Sequence, residues 1–401
     1  MSVLDTIVFF PMHNVIQDYA WGSHTSIQRL FDYPNESNQP QAEVWMGAHP
    51  NGCSAITIND KKVLLSDFIE SHKVDTLSEQ TVEQFGALPY LFKILAAEKA
   101  LSIQVHPSKE EAEAGFKKEE DAGIPLKAAH RNYKDPNHKP ELVYALTDYQ
   151  AMNGFREYSD IIALFEQVNS STLKPIIKQF KETQTPEGLS TFFGTLLSLS
   201  GENKDAAVND LILFAQVNQN NELFELILDL SEQYPGDIGL FSPLMLHVLT
   251  LAPGQAMFLD ARTPHAYLKG TGLEIMANSD NVLRAGLTPK HMDIDELISC
   301  TLFTPKPEES LLLQPHEDNH VLSYPIPVSD FKFTVYGQQN KENAYQVHLQ
   351  SAEILLSLDN DLTLTSSETT ITVPKGQSVF IPACVQNYTL SSCGRVARAH
   401  N

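Results

Sequence analysis

Gly254-Gln255-Ala256-Met257-Phe258-Leu259-Asp260-Ala261 returns near the end of the chain as Gly376-Gln377-Ser378-Val379-Phe380-Ile381-Pro382-Ala383. A proline stands just ahead of each copy, Pro253 in the first and Pro374 in the second. A Gly-Gln turn feeding an apolar strand is a jelly-roll element, and jelly rolls commonly come in pairs. The fold class expected is therefore mainly β, with two jelly-roll β-barrels. His265 stands four residues past Ala261, and Asn387 holds that place past Ala383. The second copy lacks the histidine.

A second histidine lies upstream, in Gln104-Val105-His106-Pro107, at the end of the apolar run from Pro89 to Ile103. Side chains alternate along a strand, so Gln104 and His106 share a face. Glu141, in Asn137-His138-Lys139-Pro140-Glu141, adds a carboxylate. Two imidazoles, one carboxylate and one amide make a shell for a divalent metal with room for water or substrate. Each residue has an ordinary alternative: Gln104 as a satisfied core amide, His106 and His265 as strand histidines, Glu141 as a solvated strand end. Their weight comes from occurring together. The barrel that holds them is expected to carry the metal, and the C-terminal barrel to be metal-free and structural.

Between the two parts of this shell the texture changes. Ile161, Ile162, Leu164 and Phe165 recur at helical spacing, as do Leu189, Phe192, Phe193, Leu196 and Leu197, then Leu211, Ile212, Phe214 and Ala215, then Leu223, Leu226, Ile227 and Leu230. This block ends near Tyr234-Pro235-Gly236. If all four ligands share one barrel, the helices are an insertion into it. The expected organisation is 1–155 with 236–304 as a discontinuous metal-binding barrel, 156–235 as a helical insertion domain, and 305–401 as the second barrel. A helix is also expected over Ser108–Glu120 and over Met292–Leu302. Asn51-Gly52 reads as a hairpin turn between Val44-Trp45-Met46 and Ser54–Ile58.

Composition narrows the partners. Fifty acidic against 28 basic residues give a formal charge of −22, which disfavours nucleic acid and anionic membrane. No apolar run is long enough to span a bilayer. Met1–Phe10 lacks a basic start and so does not read as a secretion signal. The four cysteines, Cys53, Cys300, Cys384 and Cys393, form no Cys-x-x-Cys pair, as expected of reduced thiols in a cytoplasm.

At the level of whole motifs the chain resembles the type I mannose-6-phosphate isomerases, zinc enzymes of the cupin superfamily. The resemblance is carried by Asp18–Ser23, Ala42–Pro50, Leu101–Pro107, His138–Glu141 and the long stretch Glu274–Lys290, and covers nearly the whole chain. One departure is Cys53, where proline is expected after Asn-Gly. The resemblance implies two cupin-type barrels with a helical insertion and one Zn²⁺ held by Gln104, His106, Glu141 and His265. It implies interconversion of D-mannose 6-phosphate and D-fructose 6-phosphate through a cis-enediol. A small sugar phosphate is then the partner, with neither nucleic acid nor membrane. The chain is expected to act as a monomer in the cytoplasm.

Such a reaction needs a base and an acid to shuttle a proton between two carbons. Lys139, two residues from Glu141, and Asp280 are candidates for proton transfer or sugar contacts. Arg284 and Lys290 are candidates for the phosphate, Arg284 being also a candidate for assisting proton transfer. Trp21, Glu43, Lys93, Ser102, Tyr267 and Glu274 are expected to line the pocket. Two other readings fit a metal cupin. An iron oxygenase would favour a histidine-rich shell, against which Gln104 and the Arg284/Lys290 pair argue. A non-catalytic sugar-binding double cupin would tolerate a degraded shell, whereas all four ligands are intact.

Overall fold

A computed structural model describes residues 4, 8–337, 344–367 and 369–401. It is mainly β, with a helical segment set into the chain between two groups of strands. Three sheets stack in order. A four-stranded sheet (Tyr345–His348, Asn387–Ser392, Leu362–Ser366, Thr369–Val373) faces a nine-stranded one, and that sheet backs onto a ten-stranded one. Phe9, Leu355, Leu364, Val379, Tyr388 and Leu390 fill the first interlayer. Phe10, Phe92, Ile94, Tyr144, Phe333, Ile354 and Phe380 fill the second.

The repeated octapeptides form matching strands, Ala256–Leu259 and Ser378–Ile381. Each follows a tight turn with a positive-φ glycine, Gly254 at 93° and Gly376 at 78°. Gln255 N donates to Ala252 O, and Gln377 N to Pro374 O, both at 3.0 Å. The partner strands match too. Leu259 pairs with Glu141, and Ile381, its counterpart in the repeat, pairs with Glu353. Glu353 therefore holds in the second barrel the place of Glu141 in the first. It is fully buried and bonded by Tyr388 Oη at 2.8 Å and by the Arg398 guanidinium, which also reaches Tyr336 Oη at 3.1 Å. Asn387, the counterpart of His265, is exposed; its neighbour Tyr388 points inward instead.

The segment 1–155, expected to lie in one barrel, is divided between two sheets. Phe10–His13, Ala55–Ile58 and Lys61–Leu64 lie in the nine-stranded sheet, with Phe10 registered on Phe380. The Asn51-Gly52 signal accordingly closes no hairpin. Gly52 N donates to His49 O at 3.0 Å in a local turn, and the flanking strands belong to different sheets. The hairpin comes next, between Ala55–Ile58 and Lys61–Leu64. Its loop residues Asn59 and Asp60 have φ of 48° and 62°, the positive pair a type I′ turn requires. Helices at Leu65–Ser71, Lys73–Leu77 and Glu79–Phe85 are too short to announce themselves by periodicity.

The helical segment runs from Tyr158–Val168 through Lys174–Glu182, Pro186–Leu197, Gly201–Val217 and Glu222–Gln233. Its apolar faces pack against Ile103, Val105, Met152, Ala266, Leu268, Leu283 and Ala285. These residues alternate with Gln104, Asn153, His265 and Arg284, so the helices form a back wall for those strands.

The helix Lys109–Asp121 starts with a Ser108/Glu111 capping box. Its Gly115 lies against Tyr133: a methyl there would stand 2.2 Å from the ring. Tyr133 is held in turn by Glu296 at 2.6 Å and Cys300 Sγ at 3.2 Å. Gly115→Ala gains roughly 1 kcal/mol of helix propensity and loses about 1–3 kcal/mol to overpacking. We expect a net destabilisation of up to about 2 kcal/mol by urea unfolding. A more stable variant would show that the ring yields freely.

Candidate metal centre

Four neighbouring strands present one row of side chains. Asn153 is registered on His265, His265 on Gln104, and Gln104 on Arg284. Directly opposed residues share a face, so these four lie on one face of the sheet. The long strand His265–Ala277 has a bulge at Leu268: Tyr267 pairs with Ala151 and Lys269 with Gln150. The extra residue shifts the alternation. His265 and Tyr267 before it, and Glu274 after it, consequently face the same interior despite opposite parity.

Among the described residues, His106, Glu141 and His265 are the one group of three or more His, Cys, Asp or Glu whose ligand atoms converge, within 4.8 Å of one another. His106 Nδ1 donates to Asn281 O at 2.7 Å and His265 Nδ1 to Thr263 O at 2.9 Å. These bonds fix both tautomers and leave each Nε2 with its lone pair facing inward. His106 Nε2 lies 3.3 Å and His265 Nε2 3.7 Å from the Glu141 oxygens, and His106 Nε2 has no hydrogen-bond partner.

Burial, and then the second imidazole, push His265 down to about 4. Burial and Lys139 lower His106 as well. Burial alone would raise Glu141, but Lys139, His106 and His265 outweigh it and hold it well below the carboxylate range. Two neutral imidazoles and a carboxylate thus face one another with no proton between them. That donor set fits a divalent cation.

Two groups brace Glu141. Lys139 Nζ lies 3.0 Å from Oε1, and Tyr267 Oη donates to Oε2 at 2.9 Å. Farther along the interior, Lys93 pairs with Glu274 at 2.7 Å and with Glu43 at 3.5 Å, while Trp45 Nε1 donates to Glu43 at 2.8 Å. Burial works against the Lys93 charge, but Glu274 and Glu43 raise it above the usual lysine value. Glu274 is raised by burial against the pull of Lys93.

Trp21 stacks on Tyr19 at 5.7 Å and packs on the cluster containing Tyr149 and Tyr267. Asp280 accepts from Asn51 at 2.8 Å and meets His49 at 3.5 Å. Ser102 is half-buried two residues before Gln104. Arg284 is half-buried with no acid in ion-pair range among the described residues, and burial lowers it. Lys290 is exposed; partial burial of its ammonium, then Arg284, lower it.

Sequence reasoning missed three residues. Tyr149 is fully buried, edge-on to Tyr267 at 5.6 Å, and its hydroxyl has no partner. Asn153 is fully buried with both amide atoms unpartnered. Asn281 ties His106 to the loop before Lys139. The spacing Tyr149-x-Ala151-x-Asn153 was the available signal for the first two.

The phosphomannose isomerase type I catalytic domain matches residues 9–158, and that family's helical insertion domain matches 164–246. The mannose-6-phosphate isomerase cupin domain matches 320–401. The mannose-6-phosphate isomerase of Escherichia coli is 48% identical over 97% of this chain and 98% of its own. That of Homo sapiens is 36% identical over 93% of each. A crystal structure of a phosphomannose isomerase variant from Salmonella typhimurium superposes with a TM-score of 0.95 at 46% identity, covering 98% of this chain and all of that one. A zinc-bound mannose 6-phosphate isomerase gives a TM-score of 0.94 at the same identity and coverage. The chain belongs to the type I phosphomannose isomerases.

Proposed function

We propose that the protein interconverts D-mannose 6-phosphate and D-fructose 6-phosphate, with one zinc ion held by Gln104, His106, Glu141 and His265. The observation that carries this reading is the convergence of three unprotonated donor groups beside Lys139. When bound, zinc supplies Lewis-acid polarisation of the substrate's carbonyl and hydroxyl oxygens.

The chain's own residues do the rest. Lys139, acting as its neutral amine, takes the proton from C2 of the open-chain aldose to become an ammonium and returns it to C1, while the hydroxyl proton passes from O2 to O1. Tyr267 keeps Glu141 from turning. The Lys93–Glu43–Glu274 group offers fixed donors and acceptors to sugar hydroxyls, beside the Trp21 wall. Asp280 contacts the sugar as well. Arg284, which lacks an acidic partner among the described residues, holds the phosphate with Lys290. Asn153 and Tyr149 offer unused hydrogen-bonding atoms to water at the cavity floor.

We place the enzyme in the cytoplasm, where unpaired cysteines and sugar phosphates are both at home, and take it to act as a monomer. No helix among the described residues is long and apolar enough to cross a membrane.

Treatment with a chelator is expected to abolish conversion of mannose 6-phosphate to fructose 6-phosphate in a coupled assay, and added zinc to restore it. No turnover by folded, zinc-replete protein would refute this reading.

A further inference from the structure

Asn281 lies between the long strand ending at Ala277 and the short strand Leu283–Arg284, and is fully buried. Its main-chain carbonyl accepts the 2.7 Å bond from His106 Nδ1. Its side chain turns to another segment. Oδ1 accepts from Lys134 N at 2.6 Å and Asp135 N at 3.3 Å. Nδ2 donates to Asp135 O at 2.7 Å and Asn137 O at 2.8 Å. One amide thus closes both ends of the loop that runs into Lys139 and Glu141. Adjacent bonds fasten the same seam: Asp280 N donates to Asp135 Oδ2 at 2.7 Å, and Ser279 Oγ to Asn137 O at 3.1 Å.

We infer that Asn281 is a positioning residue: it couples the tautomer and aim of the His106 imidazole to the placement of the Lys134–Asn137 loop, and so to Lys139. This deepens the zinc-isomerase reading and rests on it. Among the described residues, all of the side-chain amide's hydrogen bonds go to that loop, while the main-chain carbonyl holds His106, so the residue acts through the loop and His106 together. Both halves of the amide are needed. An aspartate keeps the acceptor for Lys134 N but turns the bonds to Asp135 O and Asn137 O into contacts between acceptors. Because an imidazole's outer hydrogen bond tunes its hold on a metal, loosening the loop loosens the ion, and by reciprocity the ion tightens the loop.

The test measures zinc binding first. In competition with a chromophoric chelator, Asn281→Ala and Asn281→Asp are expected to weaken zinc about 10- to 100-fold. At saturating zinc, kcat should fall while KM for mannose 6-phosphate stays near that of the unsubstituted protein. A second measurement needs no substitution: amide exchange at Lys134 and Asp135, with and without zinc, in the natural chain. Zinc is expected to slow both amides. Unchanged zinc affinity in a folded variant, or exchange at these amides that ignores zinc, overturns the inference. If the natural chain binds no zinc at all, the underlying isomerase reading falls, and this inference with it.

Discussion

Lys139→Met is expected to lower kcat by about 10²- to 10⁴-fold, the usual contribution of a positioned acid–base group, while the protein keeps its full complement of zinc. The expectation follows from placement. The Lys139 ammonium is 3.0 Å from Glu141, on the strand entry two residues ahead of that carboxylate. Lys93, which is fully buried where Lys139 is half-buried, is engaged by two carboxylates rather than one, and they stabilise its charged form. It is poorly suited to give up a proton near neutrality. Methionine preserves the length and apolar stem of Lys139 and removes only the amine. Metal analysis of the purified variant separates loss of the base from loss of zinc. A variant with normal zinc and full turnover would take Lys139 out of the proton path.

Arg398→Met is expected to destabilise the protein by about 3–5 kcal/mol, the cost of leaving one partner of a buried ion pair alone, without changing kcat. Glu353 would then be a fully buried carboxylate supported only by the Tyr388 hydroxyl. The effect has a definite sign with pH. Burial already raises Glu353 above the ordinary carboxylate value, with Arg398 and the hydrogen bonds pulling it back. A carboxyl with a raised folded-state value binds its proton more tightly when folded. It therefore favours the fold below the unfolded value, about 4.3, and that support is lost as pH rises through the folded value. Removing Arg398 raises the folded value further, so the variant's deficit should be largest near neutrality and shrink on acidification. Chemical denaturation at several pH values measures this. A second substitution, Glu353→Leu, should recover most of the loss. A deficit that grows in acid, or a double variant no more stable than the single, would contradict the assignment.

The parts of this molecule legible in its sequence are those with a local signature. The repeated Gly-Gln octapeptides marked two strands and their turns, and the helical periodicity marked the segment from Tyr158. The four candidate ligands stand in short motifs and in a strand alternation that can be read without any strand register. What stayed hidden depends on pairing between distant residues. Nothing near Leu268 announces the bulge that brings Glu274 and Tyr267 into one interior. Asn281 looked like one polar residue in a loop, because its partners lie at Lys134–Asn137 and His106. Arg398 gave no sign that it would sit beside the counterpart of a candidate metal-ligating carboxylate. Its role depends on a register match between Glu353 and Ile381.

The strand Phe10–His13 carries a consequence for how the chain reaches this state. Its sheet neighbour on one side is Ser378–Ile381, so an early segment must wait for one of the last before its hydrogen bonds are complete. Such distant pairing slows folding and exposes unpaired strand edges meanwhile. A chain still emerging from the ribosome, or one cut short before Ser378, carries Phe10 and Met12 without the part of their apolar cover that Phe380 and its sheet supply. The metal-binding half is therefore no independent unit of synthesis. Its maturation is tied to completion of the C-terminal barrel, and a late truncation should yield aggregation-prone protein rather than a small active isomerase.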